Sequence, residues 1–282
     1  MNAFKTLGGL AALSLTTTAI PMAHADAEAT QQPASTTEGK ELSVEAGLPL
    51  SVEFSMDILS DYMWRGMICN DNPVWQPSVT LGYDIGDYGA LSANVWSTFD
   101  LTHKRGSSTS SRRSCGLQEI DYTLAYSFEF AGVGLEAGHV WYVFPNHNGS
   151  SDQDLYLTLS YDNPFVTPSA SAYYNYSDSA GNNTPCFYYA FGLSHDFALT
   201  DDLALTPNVS LGFGDDAWTG CGCELTDQTI GLAASYELCK HVSLGAQVNY
   251  TWIPSHTLRK GDYMGEGKDQ LCWGGVNVTV SF

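Results

Sequence analysis

Gly275-Val276-Asn277-Val278-Thr279-Val280-Ser281-Phe282 ends the chain, and its pattern sets how everything upstream is read. Apolar and polar residues alternate with period two, so Val276, Val278, Val280 and Phe282 share one face of a strand and Asn277, Thr279 and Ser281 the other. The same alternation fills the segment before it. Val242, Leu244, Ala246, Val248, Tyr250 and Trp252 oppose Ser243, Gly245, Gln247, Asn249 and Thr251. Further upstream, Ile120, Tyr122, Leu124, Tyr126, Phe128 and Phe130 oppose Asp121, Thr123, Ala125, Ser127 and Glu129. Val52, Phe54, Met56 and Ile58 oppose Glu53, Ser55 and Asp57. Period two predicts twelve strands, over 51–60, 73–84, 89–100, 118–130, 132–144, 153–161, 167–177, 186–198, 202–214, 225–237, 240–252 and 270–282.

Alternation alone allows a sandwich or a barrel. Connection lengths separate the two, because short and long segments alternate along the whole chain. Ile85–Tyr88, Ala131, Asp162–Phe165, Leu199–Asp201 and Leu238-Cys239 are short; Asp61–Asn72, Leu101–Leu117, Pro145–Asp152, Asp178–Pro185, Asp215–Glu224 and Ile253–Asp269 are long. Short turns at one end and long loops at the other describe an all-β, up-and-down antiparallel transmembrane barrel with short periplasmic turns and long extracellular loops. An even strand count puts both termini at the short-turn end. Lipid admits only helices or closed barrels, so the strands must close.

The composition agrees with lipid contact. Aromatic residues reach 12 % and charged residues only 15 %, below the roughly 25 % of soluble domains. Mean hydropathy of −0.13 excludes a bundle of apolar helices, whereas barrel strands hide apolarity in alternation. With 31 acidic against 11 basic residues the net charge is −20, which excludes a nucleic-acid partner. Residues 1–25 have the form of a signal peptide: Lys5 is the positive start, Leu7–Met22 is mostly apolar or small, and Ala23-His24-Ala25 is the cleavage signal. Residues 26–50 are polar and small and read as a disordered periplasmic linker, leaving 51–282 as the barrel.

The most specific local motif is Leu59-Ser60-Asp61-Tyr62-Met63-Trp64-Arg65-Gly66-Met67 followed by Asp71-Asn72-Pro73. It resembles the opening of the TorF-type porin family of bacterial outer-membrane barrels, with Ser60, Asp61, Tyr62, Trp64, Arg65, Gly66, Asn72 and Pro73 at the motif positions. The terminal aromatic Phe282 likewise resembles the last strand of such barrels. The resemblance implies a barrel and passive transport, and it supplies no catalytic residue. The cysteines and the Ser/Arg stretch 106–113 depart from the family pattern.

The candidate site residues follow from strand parity. Glu53, Asp57, Asp121, Glu129, Glu136 and Asp227 alternate with apolar neighbours and are expected to line the lumen. The basic residues Lys104, Arg105, Arg112, Arg113, Arg259 and Lys260 fall in loops instead. That distribution suggests a cation preference. Arg65 is expected at the rim, paired with Asp61 or solvated. Cys69, Cys115, Cys186, Cys221, Cys223 and Cys272 lie in or beside long loops of an exported chain, so three disulfides are expected, with Cys239 left as a free thiol. Cys221-Gly222-Cys223 lacks a nearby histidine and the spacing of a zinc site, so no metal or other cofactor is expected. The chain thus reads as an outer-membrane channel for passive diffusion of small hydrophilic solutes or cations. Its expected location is the outer membrane of a Gram-negative-type bacterium, with outer-membrane lipid as its surroundings. Two other readings stand beside it. One is a non-conducting structural or adhesive surface barrel. The weakest is a lipid hydrolase built on His241-Val242-Ser243, placed at the periplasmic end by the turn before it.

Overall fold

The computed structural model describes residues 49–102, 116–145, 150–178, 185–219, 222–255, 258 and 268–282. Twelve long strands close into one antiparallel barrel. In chain order the strands are β1 (Leu50–Leu59), the short pair β2 (Tyr62–Trp64) and β3 (Met67–Asn70), β4 (Val74–Asp84), β5 (Ala90–Asp100), β6 (Leu117–Phe130), β7 (Val133–Phe144) and β8 (Ser150–Tyr161). After them come β9 (Thr167–Asp178), β10 (Cys186–Ser194), β11 (Phe197–Ala198), β12 (Leu203–Gly214), β13 (Glu224–Cys239), β14 (Val242–Trp252) and β15 (Gln270–Ser281). Neighbours in sequence are neighbours in the wall, and β1 closes the circle by pairing with both β4 and β15. Val52 and Phe282 exchange backbone hydrogen bonds of 3.1 and 2.9 Å, so the terminal aromatic is the last rung of the closing seam.

The expected strands are all present, with ends displaced by a few residues. One strand is split. β10 and β11 are a single wall strand interrupted at His195-Asp196, and the residue facing the break is Pro207, whose carbonyl accepts from His195 at 3.3 Å. Proline has no N–H to return the bond, so the ladder lapses there. The short turns are tight for local reasons. Ala131 and Gly132, between β6 and β7, both have positive φ (54° and 79°), the backbone of a two-residue turn that matches strand twist. The turn from β4 to β5 carries the 3-10 segment Gly86–Tyr88.

Each strand presents one apolar and one polar face. Outward residues are aliphatic across the middle of the wall, as Leu81, Leu124, Leu157, Leu211, Ile230 and Val248 show. Aromatic side chains gather toward the two ends. Trp75 packs on Phe99 and Tyr174 on Phe187 at the long-loop end, while Tyr83, Phe130, Phe165 and Phe197 face outward at the other. An aliphatic band between aromatic belts around a closed wall is the surface of a transmembrane barrel.

The inward face changes character along the axis. At the short-turn end it carries small polar residues such as Ser55, Ser78, Thr80, Asn94, Thr158 and Ser171, hydrogen-bonded in cross-strand pairs. Toward the long-loop end it carries Trp96, Tyr142, Tyr156, Tyr173, Tyr188 and Trp273, all buried. This aromatic tier, with elements of the first loop packed into it, forms the core of the molecule.

Candidate functional site

The segment between β1 and β4 is not an open loop. Tyr62–Trp64 and Met67–Asn70 pair as an antiparallel hairpin joined by Arg65 and Gly66. Both joining residues have positive φ, 47° and 79°, which is the two-residue turn geometry that glycine at the second position supports. Five of the residues in and beside this turn are apolar or aromatic: Tyr62, Met63, Trp64, Met67 and Ile68. They turn inward. Met63 is fully buried, and Tyr62 and Ile68 nearly so, against Leu59, Val74, Trp96, Ile253 and Trp273. The hairpin therefore fills the aromatic tier of the lumen. Burial of three such side chains contributes on the order of 1.5–3 kcal/mol each.

Polar contacts fix the hairpin to the wall. The Tyr62 hydroxyl donates to Glu119 Oε2 at 2.9 Å. Asn70 donates to Gln118 at 2.9 Å, and its own side-chain oxygen accepts from the backbone of Asn72 at 2.9 Å. At the hairpin base, the amide of Gly274 donates to Ser60 Oγ at 3.1 Å. Pro73 offers its carbonyl to Leu101 at 2.9 Å. On the outside, Lys268 and Asp71 form an exposed ion pair of 3.4 Å, worth little by itself.

Arg65 at the hairpin tip corrects the sequence expectation. It neither pairs with Asp61 nor sits solvated at the rim. Its Nη1 donates to Asp154 Oδ2 at 2.7 Å, and the two side chains are 3 % and 0 % exposed. The guanidinium lies over the rings of Trp64, Tyr173, Tyr188 and Trp218, with centroid distances of 4.8, 4.0, 5.1 and 5.9 Å. Asp154 also accepts from Tyr142 at 3.1 Å and from Asn175 at 2.8 Å. Among the described residues, Arg65 thus places a cation inside the wall. The reason is non-local: the carboxylate that outbids Asp61 is on β8, and the aromatic rings that desolvate the pair come from β9, β10 and the helix α1 (Asp216–Thr219).

The six expected lumen carboxylates all lie at inward register positions. Asp57, Asp121 and Asp227 are buried at 4, 1 and 1 % exposure. Asp227 accepts from the Tyr188 hydroxyl at 3.2 Å. Glu136 accepts from Tyr156 at 2.7 Å. Glu53, beside Ser281 at 3.4 Å, and Glu129 stand toward the periplasmic mouth. Sequence reading missed Glu119 and Asp154, which share the inward parity of Asp121 and Asp152 on β6 and β8. Parity along their strands marks both residues as inward. The signal that would have singled them out is the apolar content of the first loop, which asks for a partner surface inside the wall.

The cysteines are divided by the wall. Cys272 lies on the outward face of β15 beside Tyr250, whereas Cys186 lies on the inward face of β10. Cys186, Cys223, Cys239 and Cys272 are free thiols in the structure. Cys115 and Cys221 lie outside the described residues, as do Lys104, Arg105, Arg112, Arg113, Arg259 and Lys260 and the whole of 1–48. The described residues therefore do not test the three expected bridges as a set. The His241 ring contacts the Ser281 carbonyl through Nδ1 at 2.7 Å and stacks on Phe282 at 5.5 Å. Ser243 shares the lumen face with Gly245 and Gln247. Among the described residues no cluster of three or more His, Cys, Asp or Glu side chains is arranged to hold a metal ion.

No protein-family model and no curated protein sequence matches the chain. Solved structures similar to the barrel include the KdgM porin, with 11 % identity over 82 % of this chain and 99 % of the other and a TM-score of 0.46. The NanC porin matches with 12 % identity, 83 and 98 % coverage and a TM-score of 0.46. Outer membrane phospholipase A from Escherichia coli matches with 16 % identity, 86 and 95 % coverage and a TM-score of 0.49. The functional reading of this chain rests on its own residues.

Proposed function

We propose that the protein is an outer-membrane channel of porin type for small hydrophilic solutes, closed in the observed conformation by its first extracellular loop. The observation that carries the reading is the β2–β3 hairpin, folded into the lumen at one end of a wall whose inward face is otherwise lined by small polar side chains. Twelve strands leave an interior wider than side chains of the wall alone fill and narrower than that of the sixteen-stranded porins. A barrel meant only to be solid would carry bulky side chains along its whole length; here the periplasmic half carries Ser, Thr, Asn and Gly. In this reading the first loop is the gate, and the TorF-type motif Ser60–Gly66 with Asn72-Pro73 is the sequence that builds it. Export through a signal peptide over 1–25 belongs to the same proposal.

The open channel prefers cations. Six carboxylates at inward positions, Glu53, Asp57, Asp121, Glu129, Glu136 and Asp227, face a low-dielectric wall that focuses their field. Arg65 is the one described cation set against them on the inside, and it moves with the gate.

Planar-bilayer recording tests the proposal. Leu59 and Val74 are register partners, so a short turn can replace residues 60–73 without disturbing the wall. The shortened protein is expected to conduct steadily, and the intact one only in brief openings. Cation selectivity is read from the reversal potential in a KCl gradient, and Asp57→Asn with Glu136→Gln should weaken it. A shortened protein that folds, migrates differently when unheated and boiled, and never conducts favours the non-conducting structural barrel. The specific observation on that side is the packed aromatic tier, which alone could seal the lumen.

A further inference from the structure

Arg65 fills a cage in which three of the four rings, and the carboxylate, stand outside the hairpin that carries it. Tyr173 comes from β9, Tyr188 from β10 and Trp218 from α1. Tyr173 stacks on Tyr156 at 5.7 Å, and Tyr188 packs on Trp218 at 6.0 Å and donates its hydroxyl to Asp227. Asp154, fully buried, is oriented by donors from Tyr142 and Asn175 on neighbouring strands. Each ring and the carboxylate thus keep partners other than Arg65. Asp121 lies within electrostatic reach of the same guanidinium. The pocket is a pre-organised receptor for one planar cation, and the hairpin tip supplies it.

We propose that this cage is a recognition site for a guanidinium-bearing solute, with Arg65 as the tethered mimic that holds the site while the channel is closed. The inference rests on the channel reading and names the class of solute it admits. When the hairpin withdraws, Asp154 is left buried without a counter-charge, which a buried carboxylate does not tolerate. A solute that restores the closed-state contacts must carry positive charge, present N–H donors to Asp154 and lay a flat face against Tyr173 and Tyr188. A guanidinium meets all three requirements. An ammonium lacks the planar fork, a hydrated metal ion lacks the stacking face, and a neutral amide lacks the charge. Entry of such a solute competes with Arg65 and favours the withdrawn hairpin, because a ligand shifts an equilibrium toward the state it binds better.

The test uses the full chain carrying Arg65→Asn, since Asn-Gly is a favoured pair for this turn and empties the cage while keeping the hairpin. Calorimetric titration with methylguanidinium chloride, on protein folded in detergent, should show saturable binding to one site. Adding Asp154→Asn should weaken it about tenfold or more, the scale of losing a charge-assisted hydrogen bond. Urea, planar and uncharged, should not bind. Absence of saturable binding, indifference to Asp154, or equal binding of urea would overturn the proposal. If the Arg65→Asn chain does not fold, the unaltered protein in a bilayer decides: methylguanidinium should raise the open probability where urea does not, and equal responses reject the site. Binding without any conductance would keep the cage and sink the channel reading. Steady conductance without binding would do the reverse.

Discussion

The Tyr62 hydroxyl reaches across the lumen to Glu119 Oε2, 2.9 Å away and 57 positions later in the chain. Tyr62 stands on the hairpin and Glu119 on the wall, so this contact ties the hairpin to the barrel. Tyr62→Phe keeps the ring packed on Trp96 at 5.7 Å and removes only the donor. Glu119 then loses a hydrogen bond in a buried site, which should cost about 1–3 kcal/mol. The check is the urea midpoint of the refolded barrel: a lower midpoint with unchanged slope is expected, and no change would show that the bond does not hold the hairpin.

The Arg65–Asp154 pair should show strong coupling. Asp154→Leu alone strands a buried guanidinium and Arg65→Met alone strands a buried carboxylate, each costing about 3–5 kcal/mol. The double variant removes both charges, and apolar groups of similar volume should recover most of the loss. A double-mutant cycle on the urea midpoints measures it. Additive losses would mean that the two side chains act independently, contrary to their 2.7 Å contact.

The wall was legible in the sequence and the plug was not. Period-two alternation in Val242–Trp252 or Ile120–Phe130 reports which face of a strand each residue takes, because parity is a local property of the backbone. Loop lengths then ordered the strands. The hairpin lies in a segment whose apolar residues, Tyr62, Met63, Trp64, Met67 and Ile68, sit next to Asp61 and Asn70–Asn72, which read as a polar loop. Arg65-Gly66 between Trp64 and Met67 is a turn signal, yet nothing local says that the hairpin points inward. Proximity in sequence offers Arg65 only Asp61 or solvent. Its true partner is 89 positions away, and only closure of the barrel brings the two together. The cysteines show the same limit: loop assignment cannot tell which side of the wall the strand end beside a loop presents, and Cys186 and Cys272 face opposite sides.

Gly66 holds the tip at φ +79°, and a Cβ there would lie 3.0 Å from Leu258 Cδ1 and 3.1 Å from the Thr226 carbonyl oxygen. Gly66→Ala should therefore loosen hairpin docking. Left-handed backbone costs a residue with a Cβ about 1–2 kcal/mol, which corresponds to a rise of about 5- to 30-fold in the undocked population. Trypsin reads that population directly, since the peptide bond after Arg65 is buried when the hairpin is docked. Faster cleavage at Arg65 is expected in Gly66→Ala. An unchanged rate would show that the tip is not held by this geometry.

Asp61, at the outer end of β1, carries a carboxyl raised above its ordinary range by burial and, to a lesser extent, by Asp71, with the Ser60 hydrogen bond and Lys268 pulling the other way. A carboxyl whose folded value is raised binds protons more tightly in the folded chain. Its contribution to stability is present below the ordinary carboxylate value and is lost as pH rises through the folded value. Asp61→Asn removes that titration. Urea midpoints measured from acid to neutral pH should fall less steeply for Asp61→Asn than for the unaltered protein; parallel profiles would remove Asp61 from the account.

Cys272 supplies a prediction about the wall itself. Its register partner on β14 is Tyr250, an outward residue 44 % exposed, and even-numbered neighbours such as Val276 face the same way. The thiol therefore points toward lipid. Cys186, on β10, points to the inside near the rim beside Asn175. No bridge can join the two without crossing the wall, and disulfide geometry requires Cα atoms within about 7 Å. In unreduced protein reconstituted in vesicles, a lipid-soluble maleimide should label Cys272 and a membrane-impermeant one should not. Recovery by mass spectrometry of a peptide in which Cys272 is linked to Cys186 would show that the register of β15 is wrong by one residue, since a one-residue slip moves every side chain of that strand to the opposite face.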